Sequence, residues 1–300
     1  MEGPLSGRGG KRGQMSEFAA VSSGKTDRDE NFPVAVLLAP RYRAAVLAFY
    51  NFVRAADNVA DHPTLTPDRK LALLDSLAAA LTGTGPADPV AEPLRRTLVE
   101  RKLSPQHALD LLDAFRLDVI KNRYRDFDDL VDYCRLSAMP VGRYVLDLHG
   151  EDRATWAASD KLCAALQIIN HLQDCGEDYR DLDRVYIPAD SLAAFHATAD
   201  MLNLPRAPGP LRGAIVDVAQ RTRTLLAESS VFASQVRDLR LAMNVAAIQR
   251  LAEKLIEGLM VRDPLSEKVH ASKAAFALTA LMAAGAVAIA RINPFSGRAA

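Results

Sequence analysis

The chain has 300 residues, with 37 Lys+Arg against 37 Asp+Glu and a hydrophobic fraction of 49%. A formal net charge of zero argues against an electrostatic nucleic-acid partner, and ordinary hydrophobic and charged fractions argue against global disorder. Aromatics are only 6% of the chain and its apolar set is rich in Ala and Leu, which favours helix over sheet.

In chain order, residues 1–29 are rich in Gly, Ser and charge and lack the apolar stretch of a signal peptide. They read as a disordered leader, with Met15 an alternative start. Residues 31–61 read as helix, interrupted near Pro40. Residues 66–81 follow, with Thr66 as N-cap and Pro67 in the first turn, and Gly83 and Gly85 end them. Residues 89–101 and 104–121 are further helices. Residues 127–136 come next, then a break at Pro140, Val141 and Gly142, with residues 143–148 continuing. Residues 160–177 form a long apolar helix, and residues 185–190 are extended. Residues 191–195, 211–228, 231–258 and 268–292 complete an all-α set. The loop from Pro205 to Pro210 separates apolar helices on both sides, so residues 30–292 read as one bundle with residues 293–300 as a tail.

Residues 274–290 carry no charge between Lys273 and Arg291. At roughly 17–25 residues for a membrane span, this stretch is at the lower limit. It reads as a buried C-terminal helix or as a helix that dips into a membrane surface. Cys134, Cys163 and Cys175 are widely spaced with no C-x-x-C, so neither a disulfide framework nor a cysteine zinc site is expected. A reducing, cytoplasmic compartment is the default.

Two polar stripes carry the chemistry. Tyr50, Arg54, Asp57 and Asp61 stand at offsets 0, 4, 7 and 11, which at about 100° per residue places them within roughly 60° on one helix face. Gln167, Asn170, Asp174 and Asp178 stand at offsets 0, 3, 7 and 11, within roughly 80° by the same arithmetic. Each stripe ends in carboxylates at i, i+4, a like-charge pair that destabilises a bare helix. Such a pair is also common on a solvated face. Two of them in one all-α chain, one beside amides in an apolar segment, point instead to a bound cation. Carboxylate oxygens are hard ligands suited to Mg²⁺, which commonly bridges to phosphate oxygens. A diphosphate held this way leaves readily as pyrophosphate, and apolar helix faces would line the hydrocarbon.

These stripes resemble the two aspartate-rich motifs of the squalene and phytoene synthase family. Tyr50-x3-Arg54-x2-Asp57-x3-Asp61 is similar to the first, and Gln167-x2-Asn170-x2-Gln173-Asp174-x2-Glu177-Asp178 to the second. Tyr133-Cys134-Arg135-x-Ser137-Ala138-x-Pro140-Val141-Gly142 resembles the middle motif, and Arg184-x-Tyr186-x-Pro188 the stretch after the second. The match covers roughly residues 30–190 in the family's order. It implies a single-domain, all-α isoprenoid-synthase bundle with a central cavity, Mg²⁺, and a small-molecule prenyl diphosphate substrate. Asp57, Asp61, Asp174 and Asp178 would be the metal ligands. Tyr50, Arg54, Tyr133, Gln167, Asn170 and Gln173 would be catalytic. Asn31, Phe32, Arg54, Ser137, Arg184 and Tyr186 would contact substrate. Arg54 would hold the diphosphate or pair with Asp57; Ser137 and Gly142 would also serve close helix approach.

Within the family, Glu30-Asn31-Phe32-Pro33-Val34 and Gln173 are similar to the bacterial hopanoid branch. That implies conversion of presqualene diphosphate and water to hydroxysqualene, without NADPH, coupled to a preceding synthase and a following reductase. Peripheral contact with the inner membrane would suit so apolar a product. Head-to-head condensation of prenyl diphosphates is the alternative, and a non-catalytic assembly factor a distant third. The chain departs from the family pattern at Asn58, His171 and Asp183. His171 would be a neutral core residue or a group that places water.

Overall fold

The structure is a computed structural model that describes residues 39–269 together with Val287. The expected leader, Asn31, Phe32 and the C-terminal tail lie outside the described residues. So does the apolar stretch 274–290 apart from Val287, which is helical and packs on the larger core.

The described residues form twelve α-helices: α1 (Pro40–Ala60), α2 (Pro67–Thr82), α3 (Glu92–Arg101), α4 (Gln106–Ile120), α5 (Phe127–Ser137), α6 (Met139–His149), α7 (Trp156–Gln173), α8 (Cys175–Leu182), α9 (Ala189–Ala194), α10 (Gly209–Ser229), α11 (Phe232–Gln235) and α12 (Leu239–Val261). Local chemistry sets many of their ends. Thr66, Asp126 and Asp238 cap α2, α5 and α12 by accepting from Arg69, Asp129 and Leu241 N–H. Gly83 and Gly150 close α2 and α6 in the left-handed region, at φ 77° and 69°.

Apolar faces at helical spacing build two cores. Phe52, Leu74, Leu77, Leu94 and Leu112 centre the first, among α1–α4. Leu130, Leu146, Ile168, Ile169 and Leu172 belong to the second, among the later helices. Tyr144 of α6 joins them: its ring stacks on Phe49 at 4.0 Å and its hydroxyl donates to the Ala45 carbonyl at 3.0 Å. Helix α7 packs against α6, α10 and α12, while α4 packs against α1, α2, α5 and α6. Thus α4 and α6 lie between the helices that carry the two polar stripes.

Three helical expectations change. The break expected at 140–142 falls at Ala138 (φ −131°), and Pro140 sits in the first turn of α6, where its missing N–H costs nothing. Gly142 lies inside that helix against α7: a Cβ there would come within 2.5 Å of Ser159 Oγ and 2.6 Å of Cys163 Sγ. The helix expected over 231–258 divides at Val236, and the backbone N–H groups of Arg237 and Asp238 donate to the buried Glu151 carboxylate at 2.7 Å each. The helix expected over 160–177 ends at Gln173, and Asp174 (φ −102°, ψ 8°) joins α7 to α8. Hydrogen bonds from Asp174 N to Asn170 O and from Asp178 N to Asp174 O, 3.0 and 2.9 Å, carry the chain across this kink. Poor helix formers at Asp174, Cys175 and Gly176 permit it, and Gly176 lets Leu265 approach where a Cβ would stand 2.7 Å from its Cδ2.

Candidate active site

The extended segment after α8 closes one side of the site. Val185, Ala189 and Asp190 N–H donate to the carbonyls of Asn122, Tyr124 and Arg125 at 2.9–3.0 Å. The residues expected to be extended, 185–190, therefore zip against residues 122–125, with one parallel bridge at Arg123 and Val185. Asp183 starts the segment at φ 51°, the left-handed conformation that glycine adopts most easily. Here the aspartate is held there by its own side chain. Oδ1 pairs with Arg123 Nη2 at 2.6 Å and Oδ2 accepts from Asn122 at 3.0 Å. The left-handed backbone at Asp183 is thus met by a side-chain clamp.

That clamp delivers Arg184, which is 8% exposed, into the site. Its Nη1 pairs with Asp61 Oδ1 at 2.8 Å, and its Nη2 donates to the Asp118 backbone carbonyl at 3.3 Å. Burial works against the Arg184 charge, but Asp118 and Asp61 outweigh it and raise its pKa. On the same stripe Arg54 Nη1 pairs with Asp57 Oδ2 at 2.9 Å, the second of its two expected roles. Lys70 Nζ donates to the Ala60 carbonyl at 2.7 Å, beside Asp61; burial and the Arg184 charge lower its pKa against the pull of that carboxylate.

Asp118 is the group that sequence reasoning missed. It continues the buried face Leu111, Ala114 and Phe115 of α4 at helical spacing, so a carboxylate on an apolar face was the signal available. Its Oδ2 accepts from the Tyr133 hydroxyl at 3.0 Å, and its Oδ1 is closed to solvent with no hydrogen-bond partner. Burial pushes its carboxyl up to about 7, with Asp61 and Asp57 adding to the rise and Arg184 and Tyr133 opposing it.

Beyond Tyr133 lies an aromatic wall. Tyr124, Tyr133 and Tyr186 are mutually packed, with centroids 5.4–5.9 Å apart. Tyr186 stacks on His171 at 3.4 Å and 9°. Burial, with help from Asp118, holds all three tyrosine hydroxyls protonated. Burial also lowers the His171 pKa despite Asp178 nearby, so its ring is neutral. Gln167 Nε2 stands 3.0 Å from His171 Nε2, and His171 Nδ1 faces Asp178 Oδ2 at 3.8 Å. With Nε2 accepting, the ring proton sits on Nδ1, toward the carboxylate.

A continuous run of contacts therefore links the stripes: Asp61, Arg184, Asp118, Tyr133, Tyr186, His171, Asp178. Other expected residues stand nearby in sequence with different contacts. Tyr50 and Asp174 are half-buried, as are Asn170 and Ser137. Asn170 Oδ1 and Ser137 Oγ are closed to solvent and without hydrogen-bond partners. Gln173 is buried and donates from Nε2 to the Val269 carbonyl, tying the second stripe to the chain beyond α12. Glu177 is exposed. The three cysteines are free thiols with pKa values raised by burial.

The donor set can be weighed against Mg²⁺. Among the described residues, no three His, Cys, Asp or Glu side chains converge as a ready cage. Paired carboxylates with two guanidinium groups beside them instead suit a cation that draws further ligands from water and a bound phosphate, as Mg²⁺ does. Among the described residues no helix is long and apolar enough to cross a membrane.

Comparison with known proteins shows the family of the chain. Residues 25–275 match the family model described as Squalene/phytoene synthase. The chain is 52% identical over 257 residues to a protein of Rhodopseudomonas palustris named hydroxysqualene synthase, covering 85% of this chain and 88% of that one. It is also 52% identical over 259 residues to the hydroxysqualene synthase of Zymomonas mobilis, covering 85% and 87%. Among solved structures, the squalene synthase HpnC from Alicyclobacillus acidocaldarius superposes with a TM-score of 0.67 at 32% identity, over 75% of this chain and 86% of that one.

Proposed function

The chain belongs to the squalene/phytoene synthase family, and on that premise we propose that it is a hydroxysqualene synthase. It converts presqualene diphosphate and water to hydroxysqualene and pyrophosphate. The observation that carries this reading is the identity of about half the residues, over most of both chains, to proteins of that name. The contact run from Asp61 to Asp178 supports it, because it sets an aromatic wall between the acidic groups of the two stripes.

Asp57, Asp61, Asp174 and Asp178 would hold Mg²⁺, which when bound would supply charge that stabilises the departing pyrophosphate. Arg54 and Arg184 exchange their carboxylate partners for diphosphate oxygens, which charge-assisted bonds favour. Tyr50 donates to the same oxygens. The π faces of Tyr133, Tyr186 and Tyr124 meet the carbocation that remains, an attraction of about 2 kcal/mol or more when desolvated. Gln167 and Asn170 orient water toward it, with the neutral His171 ring fixed between Gln167 and Tyr186. Asn31, Phe32 and Ser137 contribute to substrate binding. Residues 274–290 are the place for peripheral contact with the inner membrane, where the apolar alcohol passes from the preceding synthase toward a reductase.

The test is product analysis by mass spectrometry. Full-length protein with Mg²⁺ is given presqualene diphosphate and, separately, farnesyl diphosphate. Hydroxysqualene from the first, with the second untouched, is expected. Consumption of farnesyl diphosphate would move the protein to the condensing branch. Asp57→Ala and Asp174→Ala fold normally and lose pyrophosphate release by about 10³-fold, equivalent to roughly 4 kcal/mol of barrier. Full activity in both would remove the metal assignment.

A further inference from the structure

Asp118 is costly where it stands. It lies in the last turn of α4, at the negative end of the helix dipole, where a carboxylate is disfavoured. Its Oδ1 has neither solvent nor a hydrogen-bond partner. Arg184 hydrogen-bonds its backbone carbonyl and pairs with Asp61, so its charge opposes the effect of burial on Asp118 without a hydrogen bond to the carboxylate. Buried polar atoms of this kind ordinarily find partners. A carboxylate so placed has a strong appetite for a proton. One hydrogen bond gives it a route: the Tyr133 hydroxyl at 3.0 Å. The ring of Tyr133 is part of the wall with Tyr124, Tyr186 and His171.

We propose that Asp118, acting through the Tyr133 hydroxyl, takes up the proton released when water captures the carbocation. The inference rests on the water-capturing reading above. The step balances without oxidation or reduction. A C–O bond forms between water and the cationic carbon. The resulting oxonium loses a proton to Tyr133 Oη as the Tyr133 proton passes to Asp118 Oδ2. The products are the neutral alcohol and the Asp118 carboxylic acid. Tyr133 touches the reacting atoms; Asp118 is the positioning residue behind it. The upward displacement of the Asp118 pKa agrees with this use, since proton transfer is most efficient when the acceptor lies near the working pH.

The experiment measures hydroxysqualene formed per pyrophosphate released, from presqualene diphosphate and Mg²⁺, for wild type, Asp118→Asn and Asp118→Glu. Wild-type protein that makes no alcohol would fail the functional reading itself, and the inference with it. Given alcohol from wild type, Asp118→Asn keeps the shape and the acceptor for Tyr133 but cannot take a proton. Its alcohol-to-pyrophosphate ratio falls at least about tenfold, with alkenes in place of alcohol. Asp118→Glu restores the ratio to within about threefold of wild type. An unchanged ratio in Asp118→Asn would overturn the proposal and leave pyrophosphate as the base. An equal fall in Asn and Glu variants would also overturn it, assigning Asp118 a role in shape alone. Circular dichroism checks folding. Should Asp118→Asn not fold, Tyr133→Phe, which removes only the hydroxyl, decides: the same tenfold fall supports the relay, and an unchanged ratio ends it.

Discussion

Arg184→Met removes a guanidinium that contacts both the Asp61 carboxylate and the Asp118 backbone carbonyl. The Arg184 side chain is 10% exposed and that of Asp61 is 34% exposed. Breaking a fully buried pair costs about 3–5 kcal/mol, because the remaining charge is stranded. Exposure of the Asp61 end screens part of that, so about 2 kcal/mol is expected. At roughly 2–4 °C per kcal/mol for chains of this size, the melting temperature falls by about 4–8 °C. Arg184→Lys keeps the charge but loses the forked geometry and falls about half as far. The carboxylates left behind are then short of a cation. Millimolar Mg²⁺ therefore raises the melting temperature of Arg184→Met more than that of wild type, by mass action on the folded state. Differential scanning calorimetry with and without Mg²⁺ reads all of this. A Met variant that melts within about 1 °C of wild type, or a Lys variant that falls as far as Met, would refute the reasoning.

Three further outcomes follow from the same geometry. Gly142→Ala drives a methyl toward Ser159 Oγ and Cys163 Sγ at 2.5 and 2.6 Å, and the α6–α7 contact loses about 1–3 kcal/mol in denaturant melts. Asp183→Ala keeps the φ of 51° and loses the ties to Arg123 and Asn122. Asp183→Gly loses the same ties without the strain, so it is more stable than the alanine variant by about 1 kcal/mol. The Asp118 carboxyl, pushed up by burial from the ordinary carboxylate range to about 7, binds a proton in the folded state at a pH where the unfolded chain has released it. Its contribution to stability therefore declines as pH rises from the unfolded value to about 7. Asp118→Asn flattens that part of the profile, seen as a smaller difference in melting temperature between pH 5 and pH 8.

The helices, their caps and the two acidic stripes could be read from the chain alone. Thr66-Pro67, Gly83 and the spacing of Asp57 and Asp61 are local signals, and helical periodicity carries them over one or two turns. The family resemblance came from the same local patterns at Tyr133, Gln167 to Asp178 and Arg184. What the chain alone left undecided depends on partners distant in sequence. The kink at Asp174 goes with the close approach of Leu265, a residue distant in sequence, to Gly176. Where the helix near 231 divides is set by Glu151, which takes two backbone N–H groups from Arg237 and Asp238. Asp183 takes the usual place of glycine because Arg123 and Asn122 hold it. Above all, Asp118 is one carboxylate on α4 until folding brings Arg184 to its carbonyl and Tyr133 to its side chain. Sequence periodicity reports which face a residue occupies. Only tertiary packing decides what stands opposite, and a buried charge draws its chemistry from what stands opposite.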